Sequence, residues 1–117
     1  MISFIYIFLG GGLGSVLRYI ISMLFINYTF PLATLFTNMA SCIFLAIAVF
    51  FIHKFHLNHN LKLFFIIGFC GGLSTFSTFS YETVNLLKLG HVYYAIFNII
   101  FNVLLCCSVL YVLMKKL

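Results

Sequence analysis

The sequence predicts an all-α integral membrane protein of four transmembrane helices, the third interrupted near its middle. Three observations carry that prediction. Of the 117 residues, 65% are apolar and 6% are charged, against about a quarter charged in soluble domains. With a mean hydropathy of +1.25, a chain of this length has no interior large enough to hide its apolar surface, so lipid is its solvent. A helical span takes about 20 predominantly apolar residues, and the chain divides into four such runs with little between them.

The first run covers roughly Ile2–Ile26 and holds one ionisable side chain, Arg18. It has no basic leader and is too long for the apolar part of a signal peptide, so the expectation is that it stays in the protein. The second covers roughly Pro31–Ile52. A polar stretch, HKFHLNHNLK, reads as a loop from His53 to Lys62. The third run covers roughly Leu63–Leu87 and the fourth roughly Val92–Met114, separated by the tight break KLGH. Residues 1–117 read as one four-helix domain without linker or repeat.

Net charge is +5, but the six basic residues are scattered, with no basic face for nucleic acid. Four spans put Lys54, Lys62, Lys115 and Lys116 on one side and Lys88 and Arg18 on the other. Lysine and arginine mark the cytoplasmic side. Four against two is a weak bias towards cytoplasmic termini, and a chain so weakly biased can insert both ways or pair with a partner of opposite orientation. The cysteines (Cys42, Cys70, Cys106, Cys107) lie inside the spans and read as small packing residues. His53, His56 and His59 recur every third residue, without a carboxylate or cysteine beside them, and read as an interfacial loop. A single acidic residue, Glu82, leaves no pair of groups for general acid–base catalysis. The protein reads as a non-enzyme.

Polar groups at membrane depth are costly and face a bundle interior or a water-filled cavity. In GGGLGSVLRY, the pairs Gly10/Gly14 and Gly11/Ser15 have the spacing that lets helix backbones approach closely. Arg18 either snorkels to the interface or concentrates anions at a pore mouth. Asn38, one turn from Thr34, either bonds between helices or donates to a passing ion. Gly71 and Gly72 in GFCGGLSTFSTFSYET predict a break. At this depth a break is tolerated only where it is buried in protein or lines a cavity. It is either a packing kink or a source of free carbonyls for a small hard cation. Beyond it, Phe76, Phe79 and Glu82 fall at i, i+3 and i+6 and are expected on one face, either as plain core or as an anion-tolerant lining of ring edges. Ser77, Thr78 and Ser80 can satisfy freed backbone groups or donate to an ion. Asn98, Asn102 and Cys106 form an i, i+4, i+8 stripe facing a partner helix or an aqueous track.

GGGLGSVLR, TNMAS and above all GFCGGLSTFSTFSYE resemble the Fluc (CrcB) family of fluoride channels, and the likeness covers the whole chain. The resemblance implies a dual-topology-type dimer of antiparallel subunits, formed with itself or with an oppositely oriented paralogue. It implies two pores that passively export fluoride across the cytoplasmic membrane of a bacterial-type cell, limiting its toxicity. It also implies a structural, untransported sodium ion (Na+) at the dimer centre. On this sequence the sodium carbonyls would be those of Gly71 and Ser74. The ion pathway would use Asn38, Phe76, Phe79, Thr78, Asn98 and Asn102, with Cys106 on the same track. Arg18 and Glu82 would stand at the vestibule. Cys42 stands where the family usually has a glycine, and Asn98, Asn102 and Cys106 stand where relatives often have tyrosine or serine hydroxyls.

Two other classes compete. A proton-coupled small multidrug antiporter has similar size but needs a carboxylate in its first span, and this one has none. A non-conducting helper subunit has no use for the asparagine stripe or the Phe/Glu face.

Overall fold

The computed structural model describes residues 1–117. It is wholly helical: α1 (Ile2–Leu24), α2 (Leu32–Phe55), α3 (His59–Lys62), a π-helix (Leu63–Cys70), α4 (Gly71–Leu73), α5 (Phe76–Lys88) and α6 (Val92–Lys116). Four stretches are long and apolar enough to cross a membrane, with α3 to α5 together forming the third, His59–Lys88. The long axis of 49 Å matches a bilayer of about 40–45 Å with its headgroup layers. Only 16 of the 117 residues are buried, so most large apolar side chains face outward, as lipid requires.

The predicted loop from His53 to Lys62 is far shorter than expected. α2 runs on to Phe55, because nothing in HKF breaks a helix and the late Lys54 complements its negative C-terminal end. His56 then closes it in the left-handed region, φ 49°, with the Leu57 N–H donating to the Ile52 carbonyl. Asn58 starts the next helix, its side chain accepting from the Leu61 N–H at 2.9 Å. The second turn forms as expected: Gly90, at φ 84°, ends α5 beyond Lys88.

α1 packs along the π-helix and α4. The small-residue spacing on α1 is used for this contact. A Cβ on Gly10 would strike the Phe64 carbonyl, and one on Gly14 the Phe69 carbonyl. Gly68 and Gly72 answer from the other side, against Ile7 and Gly11. Backbone therefore meets backbone over two turns, as small residues allow in membranes.

That contact overturns the expected role of the glycine pair. Gly71 and Gly72 are helical, within α4. The interruption falls two residues later, where Ser74 (φ −80°, ψ 155°) and Thr75 (φ −153°, ψ 125°) are extended. Glycine lowers helix propensity without forbidding helix, and the Gly72–Gly11 packing holds the α-conformation. The β-branched Thr75, an N-cap whose side chain accepts from the Thr78 N–H at 3.2 Å, supplies the start of α5.

Candidate functional site

The interruption frees backbone groups, because the last four carbonyls of one helix and the first four N–H groups of the next have no intrahelical partner. Side chains from α1 and α2 meet them. The Cys70 carbonyl accepts from the Ser74 N–H, the Ser74 hydroxyl and the Ser41 hydroxyl. The Gly72 carbonyl accepts from Arg18 Nε at 3.0 Å. Arg18 therefore does not snorkel; it reaches inward to the interruption. The Thr75 N–H turns away from the Gly71 carbonyl and donates to Asn38 Oδ1 at 2.9 Å. The Thr78 N–H, which a continuous helix would aim at the Ser74 carbonyl, goes to Thr75 Oγ1. The carbonyls of Gly71 and Ser74 thus both lose their helical donors.

From Thr75 a directed chain of amides runs through the bundle. Asn38 Nδ2 donates to Asn102 Oδ1, and Asn102 Nδ2 donates to both the Oδ1 and the main-chain carbonyl of Asn98. Asn98 Nδ2 donates to Thr83 Oγ1, which donates to the Phe79 carbonyl at 2.8 Å. The chain ties α2, α5 and α6 to the interruption. Within this chain Asn98 is 0% exposed, its amide donating to Thr83 on α5 and its oxygens accepting from Asn102 on its own helix. Asn102 is buried too, yet it borders a cavity.

That cavity, of about 270 Å³, is lined by Asn38, Ser74, Thr75, Phe76, Phe79 and Asn102, with Cys42 and Cys106 at its wall. A smaller one, of about 170 Å³, gathers Arg18, Thr34, Thr37, Thr78 and Glu82. Predicted residues from four spans thus border two cavities, while Asn98 and Gly71 line neither. Phe76 and Phe79 lie 5.6 Å apart, tilted by 45°. Phe79 is buried, whereas Phe76 is 78% exposed and projects from the chain. Glu82 does not continue their face. At about 100° per residue, steps of three drift round the helix, and Glu82 ends facing α2, accepting from Thr34 Oγ1 at 2.7 Å. Its Oε2 is enclosed without a partner. The sequence reading missed Ser41, Thr37 and Thr83. Ser41 lies one turn beyond Asn38, the spacing that could have marked it.

The fold and site define a class: a small polytopic membrane protein in which an interrupted helix, polar side chains and two phenylalanines surround small cavities. A family model described as "CrcB-like protein, Camphor Resistance (CrcB)" matches residues 5–114. A protein of Azobacteroides pseudotrichonymphae named "Fluoride-specific ion channel FluC" is 40% identical over 104 residues, 86% of this chain and 83% of its own length. Proteins of the same name from Serratia proteamaculans and Pyrococcus horikoshii are 44% and 45% identical, covering 86% and 82% of this chain and 81% and 80% of their own lengths. The chain belongs to the CrcB family.

Proposed function

We propose that this chain is a subunit of a fluoride-selective channel of the cytoplasmic membrane, which lets fluoride leave the cell passively and so limits its toxicity. The observation that carries the reading is the convergence of Asn38, Phe76, Phe79 and Asn102 on one cavity at the helix interruption. Fluoride holds its water tightly, and a filter must replace that hydration with donors. Here donors are abundant and fixed cations are kept aside. The first N–H groups of α5 form the positive end of a 13-residue helix. The remaining N–H of the Asn38 amide, which Asn102 holds in place, and the positive edges of the two rings complete the lining, and the Thr78 hydroxyl borders the smaller cavity beside it. Asn98, being enclosed, positions Asn102 and does not line the path. Arg18 and Glu82 border the smaller cavity without pairing, so its field draws an anion through the guanidinium while the enclosed carboxylate limits retention.

The exposed Phe76 and the open face at Gly71 support an antiparallel pair, built from two copies or from one copy and a paralogue, in which a second subunit covers both. The residues also fit a structural sodium ion. A hard cation takes oxygen ligands, and the Gly71 and Ser74 carbonyls, relieved of their helical donors, would hold it together with those of the opposed subunit. Bound there, the ion supplies fixed positive charge beside the anion path.

The test is Phe79→Ile in liposomes. It keeps an apolar side chain but removes the ring edge. Fluoride efflux is expected to fall at least tenfold while elution volume and melting temperature stay near the parent's; undiminished flux refutes the lining role.

A further inference from the structure

On the far side of α2 from the Asn38 cavity lies a groove of about 560 Å³ between α2 and the π-helix, lined only by apolar residues. Phe51 and Phe55 stack along one wall, 5.7 Å apart, and Phe44 meets Phe69 edge-on at 5.3 Å near the other end. We propose that this groove holds one acyl chain of an anionic phospholipid whose phosphate sits at Lys54.

Three observations select that occupant. The first is length. Phe44 to Phe55 is about 16 Å of helix, half of a hydrocarbon core of about 30 Å, so the groove is one leaflet deep. Its lining runs from Cys70, four residues before Ser74, to Leu57 in the loop between α2 and α3. The second is charge at the Leu57 end. The Lys54 ammonium lies 5.5 Å from the Phe50 ring centroid and 5.6 Å from that of Phe55, which itself lines the groove. The third is the lack of any competing carboxylate. The single acidic residue, Glu82, is bonded to Thr34, and Thr34 lies about 30 Å from Lys54 along α2. An ammonium at the membrane surface with no protein counter-ion attracts anionic headgroups, and an apolar slot beneath it takes the tail.

The full chain, reconstituted in phosphatidylcholine vesicles with a minority of phosphatidylglycerol, is extracted in mild detergent and weighed by native mass spectrometry. The parent is expected to retain phosphatidylglycerol over phosphatidylcholine. Lys54→Gln should lower that preference about fivefold. Ala48→Phe, which fills the groove, should lose both lipids, and Ala48→Leu serves if the larger ring prevents folding. Equal lipid retention by folded Ala48→Phe or Ala48→Leu and parent overturns the proposal. So does a photo-reactive benzoyl-phenylalanine at position 51 that cross-links to a second copy and not to lipid.

Discussion

Asn102→Ala should cost the protein about 2–4 kcal/mol of stability. The substitution removes the acceptor for Asn38 Nδ2 and the donor to both oxygens of Asn98, all at 2.9 Å. A side-chain hydrogen bond between membrane helices is worth about 0.6 kcal/mol on average and up to about 1.7, and the Asn38–Asn102 link is the one lost bond that crosses between helices. Asn98 is wholly enclosed, and its Oδ1 would find no replacement partner; an orphaned buried polar atom costs about 1–3 kcal/mol. The terms overlap, which gives the quoted range. The assay is an unfolding titration in mixed micelles with a denaturing detergent. A double-mutant cycle with Asn38→Ala isolates the direct link between the two asparagines, with a coupling of about 0.6–1.7 kcal/mol expected. A loss below about 0.5 kcal/mol together with zero coupling would refute the idea that the amide chain fastens α6 to the interruption.

Other substitutions probe the neighbouring contacts. Gly14→Ala should destabilise by about 1–3 kcal/mol, since its Cβ would strike the Phe69 carbonyl and stand 2.8 Å from the Leu73 nitrogen; melting against Gly12→Ala, which meets nothing within 4 Å, checks this. Gly71→Ala also meets nothing within 4 Å in the chain and should leave the subunit folded, yet cross-linked dimer and fluoride flux should fall; unchanged dimer would remove Gly71 from the subunit contact. Arg18→Lys and Arg18→Gln should both lose flux, because neither reproduces the Nε bond to the Gly72 carbonyl; full activity in the lysine variant would mean that only charge matters there.

The spans were legible because lipid makes hydropathy decisive: all four appear within a few residues of their predicted ends. The loop was misjudged because His53, Lys54 and Lys62 are polar yet helix-compatible, and polarity near a bilayer surface marks an interface, not an unwound chain. The interruption was placed at Gly71–Gly72 on propensity alone. Its true position at Ser74–Thr75 depends on the packing of Gly72 against Gly11 and on Asn38 taking the Thr75 N–H, both long-range facts. The same holds for Asn98. Its i, i+4 relation to Asn102 was visible, but which way the stripe faces is decided by α2 and α5. The convergence of Arg18, Thr34 and Glu82 on one cavity could not be read from three separate spans.

The most direct measurement is fluoride against chloride efflux from liposomes containing this chain as their only protein, in sodium buffer, read with ion-selective electrodes. The account predicts rapid loss of fluoride with chloride retained. Chloride leaving alongside fluoride would contradict a donor-lined, selective path. So would silence from folded protein that persists after an oppositely oriented paralogue is reconstituted with it.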